Sequence, residues 1–230
     1  MKTLKIAALA AAATFAMGGA ALAQDDSPSI SFNIGAATDY VFRGVSQTDE
    51  NAQIYGGADL SSGIFYAGVW ASNVDFGDST DAEIDGYFGV TPTAGPVSLD
   101  FGAIYYGYVN APSGSDYGYW EFKAAGKVPA GPAEVGAALY YSPEFFGGTG
   151  EALYYEINGS VPVGDKVSIS AALGHQELDG PGDYNTWNLG VGYSLNDHIG
   201  FDLRYHDTDD HEGLGNIGDS RVVLGLKASF

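Results

Sequence analysis

Apolar and polar residues alternate along most of this chain in runs of about ten, which is the period and length of a membrane-spanning β-strand. Over 221–230, Val222, Leu224, Leu226, Ala228 and Phe230 share one parity, and Arg221, Val223, Gly225, Lys227 and Ser229 share the other. Successive side chains of a strand point to opposite faces, so one face of this segment suits lipid and the other a wet lumen. The same rhythm, broken by Gly, Pro and Asp clusters, predicts twelve strands near 30–43, 51–60, 64–74, 82–91, 97–109, 117–128, 133–142, 151–161, 166–177, 184–195, 198–207 and 219–230. Tight turns are expected at 61–63, 92–96, 129–132, 162–165 and 195–197, with longer acidic segments between the other pairs. The fold class is therefore all-β: a transmembrane antiparallel up-and-down barrel with short periplasmic turns, long exterior loops and both ends in the periplasm.

Parity also assigns the faces. On the first strand Phe32, Ile34, Ala36, Tyr40 and Phe42 point to lipid, while Ser31, Asn33, Asp39 and Arg43 point inward; Ile199, Phe201, Leu203 and Tyr205 divide likewise from Asp202, Arg204 and His206. A Lys or Arg on the lipid face costs about 2–4 kcal/mol at the midplane, so charges should keep to the lumen. The inner parity carries Asp39, Asp59, Glu83, Asp85, Asp100, Glu121, Glu134, Glu156 and Asp202 against Arg43, Lys123, Lys127, Arg204, Arg221 and Lys227, and these are the candidate pore-lining residues. Arg43 is expected to pair with Asp39 or Asp59, or to meet an anionic solute. A mixed ladder of this kind either seals a barrel or forms the constriction of a channel. Tyr40, Phe42, Tyr105, Tyr155, Trp187 and Tyr205 fall near the outer rim, and Phe32, Phe65, Tyr193, Phe201 and Phe230 near the inner one, as two interfacial girdles. The longest exterior connection, about 207–218, is too short to fold deeply inward, so wall residues are expected to set any selectivity.

Targeting signals change the picture at the N-terminus. Lys2 and Lys5, the apolar run 6–15 and Ala21-Leu22-Ala23 form a secretory signal peptide over 1–23, followed by a short periplasmic arm over 24–29 and the barrel over 30–230. No later window reaches the roughly 18 apolar residues of a transmembrane helix, and with no Cys the chain carries neither disulfides nor a lipoprotein anchor. A formal charge of -20 argues against nucleic acid as a partner. The expected partners are outer-membrane lipid and lipopolysaccharide, the barrel-assembly machinery reading Phe230, and small hydrophilic solutes; monomer and trimer both remain open.

The exterior loops are acidic, with Asp49, Glu50, Asp75, Asp78, Asp81, Glu144, Glu151, Glu177, Asp179, Asp183 and Glu212 among their residues. They either raise the local cation concentration at a channel mouth or meet divalent ions that bridge lipopolysaccharide. His206, Asp207, Asp209, Asp210 and His211 form a weak candidate metal loop, which lacks the glycine placement and closing Glu of an EF-hand; a flexible acidic loop is the plainer reading. No cofactor is expected. Neither is catalysis, because His175, His198, His206 and His211 have no Ser and acid partners on a shared wall position.

The stretch TDYVFRGVSQTDENAQIYGGADL at 38–60, followed by SGIFYAGVWASNVDF at 62–76, closely resembles the start of the TorF-type porins of Gram-negative bacteria. The remaining chain is similar in length, strand rhythm and terminal Phe230. The porin character of that family is itself inferred, so the resemblance implies an outer-membrane barrel more firmly than a transported solute, and it supplies no catalytic residues. The reading that results is a narrow, mildly cation-preferring diffusion channel for small hydrophilic solutes. Its alternative is a sealed barrel with a structural or surface role in the envelope.

Overall fold

A strand can hide its backbone in hydrocarbon only if every ladder edge is paired, and this chain achieves that by closing on itself. The computed structural model describes residues 27–230; the expected signal peptide and residues 24–26 lie outside the described residues. Twelve long antiparallel strands run in chain order: β1 (Ser29–Ala37), β2 (Gln53–Ser62), β3 (Phe65–Asn73), β4 (Ala82–Val90), β5 (Val97–Val109), β6 (Tyr119–Ala130), β7 (Ala133–Ser142), β8 (Ala152–Val163), β9 (Val167–Leu178), β10 (Tyr184–Ser194), β11 (Ile199–Thr208) and β12 (Arg221–Ser229). Each pairs with its sequence neighbour, and β1 pairs with β12 in a register from Asn33↔Ser229 to Ala37↔Gly225. Phe230 extends that seam: its N–H donates to the Phe32 carbonyl (2.9 Å), and the Phe32 N–H donates to the Phe230 carbonyl (3.0 Å).

The alternation works as anticipated. At the start of β2, Gln53 is 0% exposed and its neighbour Ile54 is 67% exposed, which fixes the inner and outer faces. Ile34, Val69, Phe88, Ile157, Leu173 and Leu203 extend this outward apolar belt around the barrel. Tyr105, Trp120, Tyr141, Tyr155 and Tyr205 flank it toward the loop end, while Phe32, Phe65, Tyr193, Phe201 and Phe230 flank it toward the turn end. The buried core is consequently inside the barrel, where tyrosines take the place of aliphatic side chains. Several rings lie across a glycine on the adjoining strand. A Cβ on Gly68 would meet the Tyr87 ring at 2.4–2.6 Å, and one on Gly174 would meet the Tyr154 ring at 2.2–2.8 Å, so these glycines make room for the aromatic filling.

Two boundary expectations are corrected. Pro129 and Pro162 lie within the ends of β6 and β8 rather than in turns, at positions beside a tight connection where one ladder bond can be given up. The first strand stops at Ala37 instead of continuing to Arg43. Tyr40 and Phe42 therefore leave the outer girdle, and residues 38–52 form a loop that turns into the lumen.

Candidate functional site

The inward course of residues 38–52 follows from local chemistry. Thr38 continues the seam with β12, its N–H donating to the Leu224 carbonyl and its Oγ1 accepting from the Leu224 N–H, and the chain then leaves the wall. Val41–Phe42 and Val45–Ser46 pair as a miniature hairpin. Its two-residue tip, Arg43 and Gly44, has positive φ at both positions (49° and 87°), the signature of a tight turn whose twist matches its strands. Gly44 is required for a second reason: a Cβ there would stand 2.5 Å from side-chain atoms of Thr186 on β10 and Thr208 on β11. The tip thus seats against the wall.

Asp39 pins the base of this hairpin. Its Oδ1 accepts from the hydroxyls of Ser46 (2.7 Å) and Thr48 (2.8 Å), and its Oδ2 accepts from Arg221 Nη1 at 2.8 Å. Asp39 is therefore an anchor of the loop rather than a wall residue. Arg43, at the tip, pairs with neither Asp39 nor Asp59. Its Nη2 donates to Glu121 Oε1 on β6 (2.8 Å), its Nη1 donates to Gln176 Oε1 on β9 (3.1 Å), and its guanidinium lies 4.2–4.9 Å from the ring centres of Phe42, Tyr140 and Tyr154. Tyr106 also donates its hydroxyl to Glu121 Oε1 (3.0 Å). At this level side chains from hairpin and wall are almost wholly withdrawn from solvent: Arg43, Glu121, Gln176 and Tyr154 are each at most 4% exposed. The expectation that no connection folds deeply inward is overturned. The first loop does so: residues 38–52 are the longest connection between the twelve strands, and they form a compact hairpin.

The remaining lumen charges sort into local pairs. Lys123 meets Asp100 at 2.5 Å, and Tyr66 donates to the same carboxylate. Lys127 and Glu134 form a half-exposed pair at 3.1 Å. Arg204 is held by Asp202 (3.0 Å), Asn188 Oδ1 (3.0 Å) and Ser170 Oγ (2.8 Å), with Gly190 clearing space for its guanidinium. Glu156 accepts from the Tyr154 hydroxyl and Asn158 Nδ2, Tyr87 donates to Asp59, and Tyr40 donates to Glu83 Oε1 at 2.7 Å. Asp85 is buried, and its Oδ1 has no hydrogen-bond partner. Beneath the hairpin these groups leave a cavity of about 90 Å³ whose lining includes Tyr40, Arg43, Asp59, Trp70, Asp85, Tyr87, Tyr106 and Lys227. A larger depression of about 810 Å³, lined by Phe101, Leu139, Ile157, Leu173 and Trp187, is a concavity of the outer apolar face and belongs to the lipid side.

Charges alone miss half of this site. The inward tyrosines Tyr55, Tyr87, Tyr106, Tyr119, Tyr140 and Tyr154 carry its packing, and strand parity was the signal that would have found them. The weak metal loop comes apart. His206 faces the lumen, Asp207 accepts from Tyr205 and contacts His211, Asp209 accepts from Asn185, and Asp210 caps the helical turn His211–Leu214 through Gly213. Among the described residues no group of three or more His, Asp or Glu is placed to hold a metal ion.

Solved structures share this architecture at low identity. A KdgM porin superposes with a TM-score of 0.62 at 9% identity, over 87% of this chain and 99% of its own. An outer membrane channel from Pseudomonas putida F1 gives 0.52 at 10%, over 90% and 96%. Salmonella typhi OmpF in complex with daunomycin gives 0.51 at 7%, over 88% and 97%. These likenesses concern the fold. No curated protein matches the chain at a significant level. The model of a family described as a bacterial protein of unknown function, Gcw_chp, matches residues 22–230, and the chain belongs to that family.

Proposed function

We propose that this protein is exported by its signal peptide and inserted into the outer membrane as a narrow, porin-like channel for small hydrophilic solutes. The observation that carries the reading is the closed barrel with an apolar outer belt and a lumen lined by both signs of charge. A polypeptide with no use for an aqueous interior has no need to place so many ionisable groups there. The TorF-type resemblance of residues 38–76 and the porin-like fold of the structural neighbours support the same class. Both chain ends then face the periplasm, and loop 38–52 enters the lumen from outside as a plug. With its acidic loops and an excess of lumen carboxylates the channel prefers cations mildly.

Purified protein in planar bilayers tests this. Discrete conductance steps with a reversal potential displaced toward the cation value are expected. A specific observation favours a second reading, a sealed envelope barrel: the near-complete burial of Arg43, Glu121 and Gln176 under the hairpin. Silence from the intact chain and from a variant lacking residues 39–48 would leave the sealed barrel standing and remove the channel.

A further inference from the structure

The cavity beneath the hairpin has an unequal charge balance. Three cations line it, and each has an acid beside it: Arg43 bonds Glu121, Lys123 bonds Asp100, and Lys227 lies within electrostatic reach of Asp59. Asp85 remains. It is 2% exposed, lines the same cavity, and keeps one carboxylate oxygen without a donor. A buried carboxylate without a counter-charge is costly, and here the register places it opposite Trp70 on β3 and Tyr106 on β5, both of which line the same cavity. Tyr40 closes the space from the hairpin side, its ring edge-on to Trp70 at 5.4 Å between centres. A carboxyl oxygen left open beside aromatic side chains is an acceptor suited to a small cation, and the open position favours one that brings N–H donors.

We propose that this cavity is a binding site for a small solute bearing a primary ammonium group, with the ammonium donating to Asp85 Oδ1 beside Trp70 and Tyr106. The cavity of about 90 Å³ has room for about three waters, so the solute has only a few heavy atoms. The proposal deepens the channel reading by naming the class of solute held in its lumen, and it rests on that reading for its physiological meaning.

Calorimetric titration of the folded, detergent-solubilised full chain with ethylammonium chloride at mildly alkaline pH tests it, with sodium chloride as the comparison. Saturable binding is expected, at least tenfold weaker in Asp85→Asn, several-fold weaker in Trp70→Leu, and unchanged in Asp165→Asn, which removes one carboxylate from a turn. Folding of each variant is checked by its heat-modifiable migration. Absence of saturable binding in the wild type, or equal affinity in Asp85→Asn, overturns the proposal, and so does sodium binding as tightly as ethylammonium. Because calorimetry reads binding alone, a protein that binds ethylammonium through Asp85 yet conducts nothing would refute the channel while sustaining the site. A conducting protein without binding would do the reverse.

Discussion

Arg43 Nη2 lies 2.8 Å from Glu121 Oε1, a contact that ties the tip of the first loop to the sixth strand across 78 residues of sequence. Both side chains are nearly inaccessible, and removing one partner of such a pair strands a buried charge at a cost of about 3–5 kcal/mol. With the Arg43 contacts to Glu121 and Gln176 removed, the hairpin tip can relieve that cost by leaving the lumen while Asp39 still holds its base. Arg43→Gln should therefore lower the thermal unfolding midpoint and raise single-channel conductance together. Adding Glu121→Gln should recover part of the stability and keep the enlarged conductance. A stability loss with unchanged conductance would make the pair a brace and nothing more.

A pH response is expected outside the membrane, in loop 209–220. His211 Nε2 lies 2.9 Å from Asp207 Oδ1, and Asp219 stands 3.9 Å from its other ring nitrogen. The hydrogen bond to Asp207 is the main reason its pKa is raised above the ordinary 6.5. A raised folded-state pKa means that protonation favours the folded loop: the contribution is fully present below 6.5 and is lost as pH rises through the raised value. The ring is well exposed and solvent screens the pair, so the effect is local. Limited proteolysis of the loop should accelerate as pH rises above neutrality, and His211→Ala should remove that dependence. A pH-independent cleavage rate in the wild type would contradict this.

A substitution at Phe230 should separate stability from assembly. Its two backbone bonds to Phe32 belong to the closing seam, so it is part of the hydrogen-bonded lattice rather than dispensable to it, and its ring stacks near His198 with 6.2 Å between centres. Phe230→Ala keeps both backbone bonds and removes only the ring. Refolding into detergent should be close to wild type, with a change of no more than about 1 kcal/mol for one exposed aromatic contact. The amount of barrel reaching the outer membrane in cells should fall. Equal cellular yield would show that the aromatic is not read during assembly.

Period-two alternation made the strands legible, because each side chain has only two places to go and the wrong one meets lipid. It misled at one point for the same reason. Tyr40 and Phe42 keep the outward parity of β1 while Asp39 and Arg43 keep the inward one, so their pattern cannot distinguish a wall from a hairpin folded inside it. The available warning was Arg43-Gly44 with Asp49 and Glu50, where the backbone takes positive φ and a strand cannot continue. The partners of Arg43 were beyond reach for another reason. Which lumen acid meets it depends on the stagger of strands six and nine relative to the first loop, and alternation carries no information about stagger.

Facing itself is tested on the closing strand, where Leu224 and Gly225 are neighbours of opposite parity. Leu224 is outward and exposed, within the apolar belt. Gly225 faces the lumen, and a Cβ there would find nothing nearer than 3.9 Å, so the position has space for a side chain to begin. Leu224→Arg should destabilise the barrel by about 2–4 kcal/mol, the cost of a guanidinium near the bilayer midplane. Gly225→Arg enters a lumen rich in carboxylates and should cost less in folding, while it lowers conductance and weakens the preference for cations. Unfolding titrations in lipid, paired with single-channel recordings, read both quantities. Arginine tolerated at 224 and rejected at 225 would invert the assignment of faces. Equal stability losses with no electrical change at 225 would place that stretch of lumen outside the conducting path.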